Sequence, residues 1–336
     1  MDKISVIIPC RNEEKYIASC LDSIVNNDYP KEKIEIFVVD GGSFDNTVKI
    51  AEDYIRKFDF IKLLRNKKKT VPYAMNLGIS EAKGDYIVRI DAHAIYPNNY
   101  LSKLVYWNKK LNADNVGALW ITDIKNKNSK TSSIRKVLSN KFGVGNSLFR
   151  TGINEVKEVD TVPFGCFKRE VFEKFGLYDI RLDRDQDIEL NKRIRRGGGK
   201  IFLVPDISST YYARETYSGI AKNNFQTGYW NLLTVYLTKR LDSLSFRHFI
   251  PLLFLLSIVL PIIMSVIYPR LLFISLLSLF TYLILLIAVS WKLKDKSTSF
   301  FYLIWSFIVL HISYGFGSLL GLFRIDKIFE SVKTKI

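Results

Sequence analysis

Cysteine is scarce in this chain of 336 residues, and Cys10, Cys20 and Cys166 are odd in number and unpatterned, which excludes a disulfide scaffold and fits a reducing compartment. No Gly-x-Gly-x-x-Gly follows the first apolar run and no Gly-x-x-x-x-Gly-Lys-Ser/Thr occurs, so dinucleotide and P-loop sites lose their main support. Zinc-finger and helix-turn-helix spacings are also absent. The excess of 49 Lys and Arg over 33 Asp and Glu, a net +16, therefore points to an anionic membrane leaflet and nucleotide phosphates rather than nucleic acid. The apolar stretch ending at Pro9 is too short for a secretory signal and reads as a first strand, which keeps the front of the chain cytosolic.

Charge nearly vanishes in three runs, 249–267, 271–291 and 300–323, each close to the roughly 20 residues that cross a hydrocarbon core of about 30 Å. This predicts a multi-pass anchor over 241–336, about three helices in the plasma membrane, behind a cytoplasmic domain over 1–240. Lys292, Lys294 and Lys296 mark the cytoplasmic connector, and Tyr268-Pro269-Arg270 the outer turn. Three crossings put the tail with Arg324, Lys327, Lys333 and Lys335 on the far side, against its charge. The third run is the least regular and could instead be re-entrant. His311 reads as a hydrogen-bonded packing residue there, and Gly315, Gly317 and Gly321 as permitting close helix approach. With no intramembrane acid and no inverted repeat, a transporter is not supported.

Before the runs, strand and helix patterns alternate: strands at 3–9, 34–40, 60–65 and 85–90, helices at 13–26, 46–58 and 71–81. Such alternation predicts an α/β domain with a mostly parallel sheet, helices on both faces and ligands at the carboxyl ends of the strands. The residues after the strands are Arg11, Asn12 and Glu13; Asp40, Gly41, Gly42, Ser43 and Asp45; Asp91 and His93. Alone, Asp40-Gly-Gly-Ser43 reads equally as a turn and helix cap. The Ser/Asn/Lys-rich stretch 125–135 reads as a mobile loop.

Four segments, Ser5 to Glu14, Val38 to Thr47, Asp85 to Ala94 and Asp185 to Arg193, resemble in order the motifs of family 2 glycosyltransferases. The likeness covers about residues 3–230, and the apolar tail resembles the bacterial exopolysaccharide branch, similar to succinoglycan glucosyltransferases. The resemblance implies a Rossmann-like GT-A fold and places Pro9, Arg11, Glu13 and Asp40 around the nucleoside, with Asp40 on the uracil edge. It puts Asn76 and Gly78 near the ribose and diphosphate. Pro163 to Glu170 matches the acceptor-side loop. Tyr211 to Arg214 and Gln226 to Trp230 match more distantly, giving Arg214 to diphosphate oxygens and Trp230 to a sugar or to aromatic packing.

Residues two apart at a strand end project to one side, so Asp91 and His93 are expected to share a divalent cation on the donor diphosphate. An imidazole in place of the family's usual Asp favours Mn²⁺ over Mg²⁺. Asp183, Asp185, Asp187 and Glu189 do not form a calcium loop, because the sixth position is Ile188 instead of Gly. A helix is predicted over 185–196, closed by Gly197-Gly198-Gly199, with its acids in the first turn and Lys192, Arg193, Arg195 and Arg196 near its end. The resemblance singles out Asp187 as the catalytic base, with Arg193 at the family's basic position and Gln186 replacing a Glu on the acceptor side.

The expectation is a membrane-anchored, metal-dependent, inverting transferase. It would use a UDP-sugar, UDP-glucose first, and a saccharide on a polyprenyl diphosphate. The rivals are direct transfer to polyprenyl phosphate and a catalytically inactive nucleotide-binding subunit.

Overall fold

The computed structural model describes residues 1–323; the basic tail from Arg324 on lies outside the described residues. In chain order the elements are β1 (Ile4–Cys10), α1 (Ile17–Val25), β2 (Ile34–Asp40), α2 (Thr47–Ile55), β3 (Ile61–Arg65), α3 (Val71–Glu81), β4 (Tyr86–Arg89), β5 (Ala94–Ile95), α4 (Tyr100–Lys110) and β6 (Asn115–Asp123). Next come α5 (Ser129–Leu138), α6 (Lys141–Val144), α7 (Leu148–Thr151), β7 (Lys157–Glu158), β8 (Cys166–Lys168), α8 (Glu170–Phe175), α9 (Gln186–Arg196) and β9 (Ile201–Tyr212). The last helices are α10 (Tyr217–Thr238), α11 (Ile250–Met264), α12 (Leu272–Leu293) and α13 (Phe300–Phe323). Two compact units result: 1–121 with 152–212, and 122–151 with the described residues from Ala213 on.

In the first unit β1 pairs in parallel with β2 and β4, and β2 with β3. Every residue of β2 is buried, as continuous apolar runs require when helices cover both faces; the edge strand β3 buries only Ile61. Among the described residues the sheet order is β3-β2-β1-β4-β8-β6-β9-β5, with β7 on β9. The parallel half is the one read from the alternation. Beyond β4 the pairings β4–β8, β6–β8, β5–β9 and β7–β9 are antiparallel, so the sheet is mixed and not the mostly parallel one expected from the alternation.

Because the chain runs outward from β1 to β3 and returns to β4 on the other side, the topological switch falls between β1 and β4. Pro9 helps to open that crevice. The Ile7 carbonyl accepts from Ile90 N–H on the β4 side and the Cys10 carbonyl from Gly41 N–H on the β2 side. Alternation then turns Pro9 toward β4, past Ile7, the last β1 residue paired there, so its missing N–H breaks no ladder bond.

In the second unit, α5 replaces the loop expected at 125–135. Asn128 and Thr131 form a reciprocal capping box, and Thr131, Ser132, Ser133, Ile134 and Val137 are buried. Its small polar residues suit a close-packed face, a feature that composition alone reads as disorder. Helix α10 packs against α13 through small residues: a side chain at Gly228 would strike the Tyr314 carbonyl, and one at Gly317 the Phe225 carbonyl. This pairing draws α10 into the second unit, ahead of the composition change near residue 240.

Of the three apolar runs, two become helices long and apolar enough to cross a membrane, Pro269–Leu293 and Phe300–Phe323. The first run forms the 15-residue α11, which at about 1.5 Å per residue falls short of a hydrocarbon core. His311 lies between the Tyr282 hydroxyl at 3.1 Å and the Phe142 carbonyl at 2.8 Å, the packing role read from the sequence.

Substituting Gly228 or Gly317 by Leu should separate α10 from α13 and cost about 1–3 kcal/mol. Thermal unfolding of the detergent-solubilised chain would register a lower midpoint for both variants; unchanged midpoints would refute the close approach.

Candidate active site

The segments that follow β1 and β2 are stitched together. Asn12 N–H donates to Ser43 Oγ at 2.8 Å, Phe44 N–H to Asn12 Oδ1 at 3.0 Å and Glu13 N–H to Thr47 Oγ1 at 2.7 Å. Asn12 sits at φ 57°, a left-handed conformation that Asn tolerates. Pro9 is half-buried beside this rim and Arg11 is exposed on it. Asp40 is only 1% exposed and accepts from Gly42 N–H and Ser43 N–H, each at 3.1 Å, and from Arg65 Nη1 at 3.3 Å. Its carboxylate thus holds its own turn, the local role that Asp-Gly-Gly-Ser allows in isolation.

The segment after β4 is not an extended strand. The strand stops at Arg89, and the Ala94 N–H donates to the Asp91 carbonyl at 3.3 Å, so Asp91-Ala92-His93-Ala94 is a turn. Strand alternation therefore does not set how Asp91 and His93 are disposed, contrary to the sequence reasoning. His93 Nδ1 lies 3.2 Å from Glu13 Oε1, with the His93 ring edge-on to Tyr211 and Tyr16. Glu13, assigned from the sequence to the nucleoside, is the partner of this imidazole.

Asp91 faces Arg89. The guanidinium donates through Nε at 3.3 Å and Nη2 at 3.2 Å to Asp91 Oδ1, and its Nη1 stands 4.0 Å from Asp187 Oδ2. Two carboxylates remote in sequence thus converge on one cation. Burial would lower the Arg89 pKa, but the charges of Asp91 and Asp187 outweigh it and hold the group further above its ordinary range. The Arg89 side chain is 10% exposed, against 19% for Asp91 and 35% for Asp187, so the cation forms a floor beneath two more open acids.

Asp187 reaches this point because α9 begins there. Asp185 precedes the helix in a left-handed conformation, Asp187 and Glu189 occupy the first turn, and Arg193, Arg195 and Arg196 the last, as the helix dipole favours. Gln186 is buried, with no hydrogen-bond partner at Oε1 among the described residues. Arg193 is a structural tie: it binds Glu189 at 2.7 Å and the carbonyls of Phe175 at 2.5 Å and Leu177 at 2.9 Å.

Asn76 exchanges two hydrogen bonds with the backbone of Tyr178, donating to its carbonyl at 2.9 Å and accepting from its N–H at 3.0 Å. Gly78 is buried where a Cβ would lie 2.6 Å from Ile7 Cγ2, so it lets α3 approach β1. Burial pushes the Tyr178 hydroxyl above its ordinary range, keeping it protonated beside Arg89. Burial, followed by the charges of Asp40, Glu13 and Asp45, pushes the Cys10 thiol up to about 12, which makes it no nucleophile. In the second unit, Arg214 is exposed just before α10 and Trp230 is half-buried on α10.

Residues 5–176, half of the chain, match the family described as Glycosyl transferase family 2. The chain belongs to that family. It is 32% identical over 251 residues to the dolichyl N-acetyl-alpha-D-glucosaminyl phosphate 3-beta-D-2,3-diacetamido-2,3-dideoxy-beta-D-glucuronosyltransferase of Methanococcus voltae, covering 70% of this chain and 78% of that protein. Succinoglycan biosynthesis protein ExoA of Rhizobium meliloti (strain 1021) is 29% identical over 212 residues, 62% of this chain and 63% of that protein. Two solved structures share the fold. The mannosyltransferase PcManGT from Pyrobaculum calidifontis, in complex with GDP-Man and Mn2+, has a TM-score of 0.58 at 18% identity, over 93% of this chain and 87% of that one. S. aureus TarS 1-349 in complex with UDP has a TM-score of 0.51 at 17% identity, over 74% and 75%.

The GT-A fold of this glycosyltransferase is therefore the one the family resemblance implied, with the C-terminal region contributing two candidate membrane helices. Asp91 and His93 lie inside the matched stretch; Gln186, Asp187, Arg214 and Trp230 lie beyond it. Sequence reasoning missed Arg89 and Tyr178. A signal existed for Arg89, since a cation inside the apolar run Ile87-Val-Arg-Ile90 demands buried acids as partners.

Replacing Asn76 by Ala removes both bonds to Tyr178 and leaves a partly buried amide and carbonyl unpaired, a loss of about 1–3 kcal/mol. A thermal shift assay on the full chain should record the drop; equal stability would mean that this tie is dispensable.

Proposed function

We propose that this glycosyltransferase moves a hexose from a UDP-sugar, UDP-glucose first, to a lipid-linked saccharide with inversion at the anomeric carbon. The observation that carries the reading is the convergence of Asp91 and Asp187 on Arg89 beside the β1–β4 switch point. Two carboxylates, read as donor-side and acceptor-side, meeting where open α/β sheets bind ligands support this reading.

Asp187 is the more open acid and serves as the base. The acceptor oxygen attacks the anomeric carbon from the face opposite the diphosphate, and the acceptor O–H proton passes to the Asp187 carboxylate. The bond from that carbon to the diphosphate oxygen breaks, and its electron pair leaves with the nucleoside diphosphate. A single displacement of this kind turns an α-linked donor into a β-glycoside.

Asp91 and His93 suit a divalent cation by the chemistry of their donor set. The carboxylate of Glu13, 3.2 Å from His93 Nδ1, orients the ring through that nitrogen, as carboxylates commonly do for metal-binding imidazoles. Among the described residues no group of three or more His, Cys, Asp or Glu could hold a metal, so diphosphate oxygens and water would complete the shell. When bound, the ion offsets charge on the departing diphosphate. An imidazole ligand favours manganese over magnesium, and the Pyrobaculum neighbour carries Mn2+.

A lipid-linked acceptor is supported by the name of the Methanococcus voltae relative and by the two long apolar helices, which fit a multi-pass protein of the cell membrane with its catalytic unit in the cytoplasm. The UDP in the TarS complex favours uridine; the GDP-Man of the Pyrobaculum neighbour makes GDP-mannose the competing donor. Incubating membranes with labelled UDP-sugars and GDP-mannose, then extracting lipids, distinguishes them. A labelled lipid oligosaccharide from a UDP-sugar is expected, and label from GDP-mannose alone would overturn the donor.

Asp187→Asn should lower turnover by at least about a hundredfold while UDP still binds, whereas Asp91→Ala should lose both. Parent-like turnover by Asp187→Asn would remove the proposed base. After chelation, manganese should restore more activity than magnesium, and full recovery with magnesium alone would contradict the ion preference.

A further inference from the structure

We propose that Arg89 is a positioning residue: its buried guanidinium fixes the separation and aim of Asp91 and Asp187, so that donor and base stand in line. The inference rests on the reading of Asp187 as the base.

The geometry separates this role from that of an ordinary core ion pair. Arg89 ends the central strand β4, whose neighbours are β1 and β8, and its own N–H donates to the Gly165 carbonyl at 3.1 Å. Its backbone is thereby fixed. The side chain lies below the two acids and forks: Nε and Nη2 grip one oxygen of Asp91, while Nη1 faces Asp187 Oδ2 at 4.0 Å. A planar guanidinium, with donors fixed along several edges, addresses two carboxylates from different directions in a set geometry that a single ammonium does not impose. Tyr178, whose hydroxyl lies against Arg89, is pinned at its backbone by Asn76 on α3, so the floor is braced from a third element.

The cation also answers an electrostatic conflict. Asp91 and Asp187 repel each other, and the donor brings a diphosphate to the same place. A fixed positive charge beneath them offsets that repulsion and lets the two carboxylates stand close to one site. Displacing a reacting group by about 1 Å lowers turnover by up to about a hundredfold. A positioning residue should therefore act on kcat and leave nucleotide binding alone.

The test uses the full chain in detergent, with turnover from a UDP-sugar and calorimetric binding of UDP with Mn²⁺. Arg89→Lys keeps the charge and loses the fork; it should lower kcat by about tenfold or more and change UDP affinity by less than about threefold. Arg89→Met should lower kcat further, and if it fails to fold the Lys variant still decides. In an Asp187→Asn background, Arg89→Lys should reduce the residual rate by a clearly smaller factor than in the parent, because one of the two acids it positions is gone. Parent-like kcat in Arg89→Lys, UDP affinity falling in step with kcat, or the same fractional loss in the Asp187→Asn background would each overturn the proposal. If Asp187→Asn itself turned over like the parent, the base assignment would fall; if only Arg89→Lys did so, the base would stand and the clamp would fall.

Discussion

A guanidinium taken almost wholly out of water, with one carboxylate gripped and a second 4.0 Å away, is the constraint around which the first unit is arranged. Desolvating such a cation costs several kcal/mol, and opposite charges in good geometry must offset it. The partners come from distinct places, the turn that ends β4 and the first turn of α9. For both to arrive, β4 must be central, the chain must break into a turn at Asp91, and α9 must begin at Gln186. Each is observed: β1 and β8 flank β4, the Asp91–Ala94 turn closes at once, and the left-handed Asp185 starts the helix sharply.

The second unit is governed by a different force. Helix α12 exposes Phe273, Leu277, Phe280 and Trp291, and α13 exposes Phe301 and Trp305, a surface that water does not favour. Association between apolar helices in lipid depends on close packing and on internal hydrogen bonds. The structure supplies both, through the glycines that bring α10 and α13 into backbone contact and through Ser275 Oγ donating to the Ile258 carbonyl at 2.7 Å between α12 and α11.

What could be read from the chain follows from the range of the forces involved. The parallel half of the sheet was legible because buried strands are continuous apolar runs and the helices between them carry helical spacing; β2 at 34–40 and α3 at 71–81 lie where periodicity put them. The start of α9, with its graded charges, was legible because helix dipoles act locally. The antiparallel half was not: strands as short as Ala94–Ile95 and Lys157–Glu158 leave no periodic trace, and in the long β6 and β9 polar residues such as Thr122, Asp206 and Ser209 interrupt the apolar run. Helix α5 was hidden by polar composition although its cap, Asn128 with Thr131, is written in the sequence. Arg89 stands in plain view, yet its role depends on Asp187 arriving from far along the chain, a tertiary fact that no local window contains. Likewise the projection of His93 depended on strand geometry that the turn replaces.

The replacement of the family's Glu by Gln186 takes on meaning in this setting. Gln186 is buried, and its neighbours at the start of α9 are Asp185 and Asp187. A carboxylate at 186 would be a third negative charge in a desolvated turn. The basic residue at 193 offers it no relief, because Arg193 is engaged by Glu189 and by the carbonyls of Phe175 and Leu177. A neutral amide therefore fits the fold where an acid would need a partner that this chain has committed elsewhere. It also leaves Asp187 facing the Arg89 guanidinium at 4.0 Å without a further acid beside it at position 186.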